Sequence, residues 1–493
     1  MKRMIAGKIK IPTKLLALII VSIPIILINS VYKNNMINTV VAVVYWLVGV
    51  VYSAKRIREK FALFSFNVGF FVFLLGGYTL SWLLNGNLEF FSNSYFTASY
   101  EAIQHTCYSV MLCMVTINTV YIIADTTSSC NESNVAGYTF ERVYSSPKTI
   151  RQILIAILVF SYICRIAEAL ETLATVRRVT YYASDNYLST LPSILTYIAS
   201  LYYIVLFLYW AMFPATKETM ISIVSLVVLE TIILMSGERG EPISVVLVIV
   251  YYIFLRNKYG LSDIRISRKV IVVIALLLPV MMYGLQMISY TRNNTTYETT
   301  LVDGVEEFLE SQGGSANVVA RAYDLKEKIR ETGGNTFILG EIRYYIKNNV
   351  FARLITGKGL RLRNAEDALS GDNFLRTYGY VYSKTSYLKG VGSGSTYIAE
   401  AFHDGGYILL VLVNVFYAFL IAKIDRAKGR SVIATAILLN IFRYIPLLPR
   451  GMALDWLTNT FAIQNIVILG ALYLLTKKQS GEPEAEKLRG KCK

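Results

Sequence analysis

The chain has 493 residues, 54% of them hydrophobic and only 17% charged, with a mean hydropathy of +0.47, which excludes a soluble protein able to cover its surface with polar groups. Its net charge is +16, and whether that excess serves nucleic acid, an anionic membrane face or an anionic ligand depends on where the basic residues sit. Cys107, Cys113, Cys130, Cys164 and Cys492 form no disulfide framework and no zinc spacing.

A helix needs roughly 20 apolar residues to cross a hydrocarbon core of about 30 Å, and runs near that length recur along the chain. The first follows Lys2, Arg3, Lys8, Lys10 and Lys14 with no small-residue cleavage site after it, so it reads as an uncleaved span at 15–32. Further spans are expected at 36–54, 61–84, 102–123, 151–172, 191–213, 219–235, 242–255 and 270–290, then at 396–421, 431–446 and 457–475. These make an all-α polytopic membrane protein of about twelve transmembrane helices. Alternate turns carry the basic residues: Lys55/Arg56/Arg58/Lys60, Arg142/Lys148/Arg151, Lys217, Arg256/Lys258/Arg265/Arg268/Lys269, Lys423/Arg426/Lys428/Arg430 and the tail from Lys477. Cytoplasmic loops retain Lys and Arg, so both termini are expected in the cytoplasm, and most of the positive excess is topological rather than a nucleic-acid footprint.

The expected organisation is helices one to nine over 1–290, a large outer loop over 291–395, helices ten to twelve over 396–476 and a cytoplasmic tail at 477–493. The loop is too polar to span. Within it Phe337, Ile338, Ile342, Tyr345, Ile346, Val350 and Leu354 recur at helical spacing, with Lys347 and Arg353 nearby. Such a helix either rests on the outer membrane interface or packs on its own loop domain.

Walker loops, dinucleotide fingerprints, HExxH and serine-hydrolase elbows are missing in any fitting context. Instead, cations stand at the outer ends of separate spans: Arg239 within Ser236-Gly-Glu-Arg-Gly240, Arg292 after span nine, and Arg443 and Arg450 around Pro446 and Pro449. A guanidinium fork binds phosphate bidentately, and a diphosphate on a lipid would present its charge at this depth. The alternative is that these arginines snorkel to headgroups or pair with Glu238, Glu241 and Asp455.

A second constellation is the run Gly392-Ser-Gly-Ser-Thr-Tyr-Ile-Ala-Glu-Ala-Phe-His-Asp-Gly-Gly406, where a flexible stretch enters span ten. Ser395, preceded by Ser393, is expected to cap the helix, whose free N–H groups make an anion site. Glu400, His403, Asp404 and Tyr407 then fall on one face near the outer boundary, where ionisable groups are expensive and usually face a cavity. Glu400 or His403 is the candidate base, the alternative being a hydrogen-bonding role inside the bundle. Glu101 with His105, and Arg165 with Glu168, read as helix-pairing contacts.

Taken together, Ser-Gly-Glu-Arg-Gly at 236–240, Gly-Val-Gly-Ser-Gly-Ser-Thr-Tyr-Ile-Ala-Glu at 390–400, the His-Asp-Gly-Gly at 403–406 and Pro-Arg-Gly at 449–451 resemble the O-antigen and capsular polysaccharide polymerases called Wzy. The resemblance implies a GT-C-like glycosyltransferase of the bacterial inner membrane. On the periplasmic side it would polymerise undecaprenyl-diphosphate-linked oligosaccharide repeat units, moving the growing glycan to a sugar hydroxyl of the next unit. It further implies Arg239, Arg292, Arg443 and Arg450, with Ser393 and Ser395, on the diphosphate, and Glu400 or His403 as base. No cofactor is expected, and the loop has no Asp-x-Asp, which favours arginines in place of a metal. Partners would be lipid-linked oligosaccharides, membrane lipids, a chain-length regulator and a flippase, with no nucleic acid. Tyr378, Tyr380, Tyr382 and Tyr387 could stack on sugars. An O-antigen ligase shares the layout, and a flippase or transporter of the lipid-linked unit is the alternative from another class, though no repeat between halves favours it.

Overall fold

The structure, a computed structural model, describes residues 34–77, 97–128, 148–179, 189–259, 279–287, 300–332, 336–349, 363–427 and 431–475, together with 79, 261, 264, 290 and 352. Every regular element among these is helical. The membrane layer begins with α1 (Asn35–Ala54), α2 (Phe61–Phe70, continued by a π turn over Phe71–Leu75), α3 (Tyr100–Ser128) and α4 (Lys148–Arg178). It continues with α5 (Ser193–Ser200), α6 (Tyr202–Ala211), α7 (Thr216–Met235) and α8 (Gly240–Lys258). The loop supplies α9 (Leu301–Gln312), α10 (Gly314–Asp324), α11 (Lys326–Glu331), α12 (Phe337–Asn348), α13 (Ala365–Leu369), α14 (Phe374–Tyr382) and α15 (Lys384–Leu388). The chain re-enters through α16 (Tyr397–Arg426) and α17 (Val432–Tyr444), turns through a 3-10 segment (Ile445–Leu447) and α18 (Asp455–Thr460), and ends in α19 (Ile463–Leu475).

Among the described residues, seven helices are long and apolar enough to cross a membrane, α5 and α6 counting as one, and the three shorter apolar segments Phe61–Leu75, Val432–Leu447 and Ile463–Leu475 join them. The expected span at 15–32 lies outside the described residues, as does most of 270–290, of which 279–287 is helical. The span expected at 191–213 is present as Ser193–Ala211 with a turn at Leu201, and one expectation is corrected: the last span starts at Ile463 rather than 457 because α18 breaks off at Phe461.

Inside the bundle, polar side chains tie the spans together where lipid offers no hydrogen-bond partner. Asn118 of α3 and Asn67 of α2 exchange amide hydrogen bonds at 3.2 Å, and Asn118 also donates to the Tyr45 carbonyl of α1. At one end, Asp425 of α16 accepts from the Ala62 and Leu63 amides and caps α2 from outside, while Tyr121 donates to it at 2.7 Å. Lys60 pairs with Asp125, Arg426 approaches it at 3.8 Å, and Lys258 donates to the Asp425 carbonyl. The basic turns after α1, α8 and α16 therefore gather at one end of the bundle, as charge alternation along the sequence requires.

The loop helices sit at the other end. Phe337, Gly340 and Glu341 of α12 are buried, whereas Leu339 and Ile346 are exposed, so the face that packs is turned to the protein. Gly340 meets the Asp372 carbonyl, and Gly69 of α2 meets that of Pro446 so closely that a Cβ there would lie 1.9 Å from the oxygen. Gly69→Ala must move the 3-10 segment, at a cost of about 1–3 kcal/mol, whereas an added Cβ at Gly470 meets nothing within 4 Å. Thermal unfolding in detergent should drop by several degrees for Gly69→Ala and stay put for Gly470→Ala; equal melting of the two would refute the close approach.

Candidate functional site

At the loop-bearing end, α7 stops at Met235 and the turn at 236–239 passes through Gly237, whose φ of 96° is a left-handed conformation that favours glycine. Arg239 then precedes the first turn of α8, which carries Glu241. Across from them, Pro446 and Pro449 end α17, since neither can extend an α-helical ladder, and the chain runs irregularly through Arg450 to Leu454.

Irregular backbone at this depth must find partners for its amides. Three consecutive N–H groups find three carboxylates from separate elements: Met452 donates to Asp455 at 3.0 Å, Ala453 to Glu400 at 2.7 Å and Leu454 to Glu341 at 3.1 Å. Thr396 adds a bond to the Pro449 carbonyl, and Tyr417 one to that of Ala453. Burial and the neighbouring Asp455 hold the Glu341 carboxyl well above the usual carboxylate range, and burial raises Asp455 too. Burial raises both carboxyls, so the two titrate as a pair that favours sharing a proton over carrying two full charges.

Over this segment lies a cavity of about 480 Å³ bounded by Arg239, Glu241, Arg443, Arg450, Asp455 and Trp456. Arg239 donates to the Leu285 carbonyl at 3.2 Å and Arg450 to the Gln312 amide oxygen at 2.7 Å. Arg443 is committed to the protein: it meets Glu241 at 2.7 Å and stacks 3.9 Å above the Tyr203 ring. Glu241 also takes Arg165 at 3.3 Å, and Arg165 takes Glu168 at 2.6 Å, so the expected Arg165–Glu168 pair is the outer link of a longer ionic chain. A second cavity, of about 740 Å³, lies among the loop helices and shares Gln312 and Arg450 with the first.

The structure thus brings Arg239, Arg443 and Arg450 together; Arg292 lies outside the described residues. Ser393 lines the second cavity instead of the first. Ser395 lines neither, and the cap of α16 is its neighbour Thr396, whose hydroxyl accepts from the Ile398 amide at 3.3 Å. Glu400 is buried beneath the 452–454 backbone, the part-buried His403 packs its ring against Phe337, and neither borders the arginine cavity. The expected common face of span ten is divided, because Gly405 and Gly406, the latter at φ 63°, interrupt α16. Before the break, Asp404 caps α12 through the Phe337 and Ile338 amides; beyond it, Tyr407 turns to His105 of α3 at 3.0 Å. Glu101 is exposed, and His105 meets Tyr407 of α16 and, at 3.5 Å, Ser109 of its own helix. Of the four loop tyrosines, Tyr378 and Tyr387 are buried and only Tyr382 borders a large cavity.

Asp455 as a cavity carboxylate and Glu341 as its proton-sharing neighbour are what sequence reading missed. Glu341 had a signal: with Gly340 it falls three and four residues from Phe337, on the buried face of α12. Glu400→Leu leaves the buried Ala453 amide without an acceptor, at a cost of about 1–3 kcal/mol, whereas Glu400→Gln keeps an oxygen there. Limited proteolysis between α17 and α18 should accelerate in the leucine variant and stay slow in the glutamine variant; indistinguishable digestion would argue against this anchoring.

A family model described as O-antigen polysaccharide polymerase Wzy matches residues 13–480. No curated protein and no solved structure matches the chain.

Proposed function

The chain belongs to the O-antigen polysaccharide polymerase Wzy family, and from that premise we propose that it joins oligosaccharide repeat units carried on a lipid diphosphate, with the arginine-lined cavity as the donor site. Membership makes it a membrane-embedded polymerase of the glycosyltransferase type. The observation that carries the finer reading is the meeting of Arg239 and Arg450 from separate elements at a cavity of about 480 Å³. In this reading the two guanidinium groups hold the diphosphate and neutralise the charge it gains on leaving. Arg443, tied to Glu241, keeps the wall of the cavity rigid rather than grasping the ligand.

Asp455 is the base in this scheme, since of the pair with Glu341 it is the one that borders the cavity. It takes the proton of the acceptor hydroxyl as that oxygen attacks the anomeric carbon; the bond from that carbon to the phosphate oxygen breaks, and the lipid diphosphate departs with its electron pair. Glu400 acts through the Ala453 amide, as a positioning residue for the segment that carries Arg450. The diphosphate is itself the leaving group, so the chemistry asks for no nucleotide sugar. The reading places the reaction on the periplasmic face of the inner membrane, with the basic end of the bundle in the cytoplasm.

A strain lacking the gene should show surface glycan collapsed to a single repeat unit, restored by re-expression. Arg239→Ala and Arg450→Ala should leave that ladder missing at normal protein levels, and lysine should restore it only in part because it lacks the fork. Full ladders in both alanine variants would end the diphosphate assignment, and normal-length polymer held on its carrier in the null strain would indicate a ligase. Asp455→Asn should slow polymerisation by about 100-fold or more. In the wild type, activity should be lost as pH falls through the Asp455 titration, at a pH above that of an ordinary aspartate because burial raises it. A pH profile unchanged by Asp455→Asn would remove Asp455 from the role of base.

A further inference from the structure

The cavity of about 740 Å³ among the loop helices has no part in the chemistry above, yet it is built for a ligand. Its volume falls within the range of roughly 300–1,000 Å³ typical of small-molecule sites. Its lining is mostly polar, with serines at 311, 315, 383, 386 and 393, Asn317, Gln312 and the Tyr382 ring beside Val318 and Val391. Among the described residues two guanidinium groups, Arg321 and Arg450, enter it, and no carboxylate does.

The surroundings of Arg321 sharpen this. Its Nε donates to the Thr97 hydroxyl at 2.9 Å and its guanidinium lies 4.8 Å above the Tyr382 ring, and the Tyr378 hydroxyl is its other neighbour. None of these partners is anionic, so a positive charge is held in place on the wall of a cavity rich in hydroxyls. Hydroxyl and amide side chains exchange hydrogen bonds with a polyhydroxylated ligand, and the fixed cation adds a charge-assisted bond to any carboxylate on it. The half-exposed Tyr382 ring, 42% accessible, offers a flat face beside that charge.

Position adds the rest. The cavity meets the arginine cavity at the Arg450–Gln312 hydrogen bond of 2.7 Å, so sugars attached to a diphosphate in one chamber lead towards the other. We propose that this loop cavity is a glycan subsite and that Arg321 makes it select a repeat unit bearing a negatively charged sugar. The assignment of the glycan rests on the polymerase reading; the preference for an acidic sugar rests on the lining itself.

The test uses the purified full-length chain in detergent, titrated with an oligogalacturonate trisaccharide and with its neutral galactose counterpart, and followed by saturation-transfer NMR and calorimetry. The acidic trisaccharide should bind at least about tenfold more tightly at low salt, the scale of one charge-assisted hydrogen bond, and the difference should shrink as salt rises. Arg321→Gln should abolish the preference, Arg321→Lys should keep most of it, and Arg239→Ala, in the other cavity, should leave it intact. Equal binding of the two probes, binding of neither, or a preference that survives Arg321→Gln would overturn the proposal. A preserved preference in a chain whose Arg239→Ala variant still polymerises fully would instead overturn the donor-site reading alone.

Discussion

Three backbone amides with nowhere else to go govern the loop-bearing end of this protein. Pro446 and Pro449 force α17 to stop, and the chain that follows must cross a region where bare N–H groups are costly. Glu400 from a membrane helix, Glu341 from the loop and Asp455 from the next turn each take one of them. One short segment is thereby tied to both the bundle and the loop domain. Arg450 is carried on that segment, and the two large cavities meet at Arg450. Crowding three carboxyls around it has an electrostatic cost, which a proton shared between Glu341 and Asp455 relieves.

The same accounting explains the buried cations. Arg443 and Arg165 lie within the bundle because Glu241 stands between them, and removing any member would strand the others. Opposite, Asp425 substitutes for a missing cap on α2 and so fixes where α16 leaves the membrane relative to the first helices. The two ends of the bundle differ in character. One is closed by ion pairs and caps, and the other opens into chambers.

Much of the fold was legible because a membrane imposes a length and a charge bias on every span. Helices α1, α3, α4, α7 and α8 fall where apolar runs begin and end, give or take a few residues. The arginine cluster was legible too, since Arg239, Arg443 and Arg450 each sit at a break between apolar runs on one side. Side-chain direction was not. Counting along an unbroken helix puts Glu400, His403 and Tyr407 on one cavity-facing stripe, whereas the neighbouring backbone claims Glu400, His403 borders only a small cavity beside His105, and Gly405 and Gly406 set Tyr407 apart. Ser395 and Thr396 are both capping residues by type, and the bond from the Ile398 amide to the Thr396 hydroxyl decides between them. The loop cavity was illegible for a different reason: its wall draws on residues 311–321, 382–394 and 450, a convergence that no local pattern encodes.

The division of α16 has a mechanical meaning. A continuous rod of thirty residues would carry any tilt at its basic end straight to its other end. With Gly406 in a conformation that few side chains tolerate, the first two turns answer to what they touch, Phe337 through Asp404 and Ala453 through Glu400, and not to the axis of the remainder. The long half can follow a bilayer that thins or thickens while the short half keeps its aim, so the two chambers are insulated from the membrane that holds them.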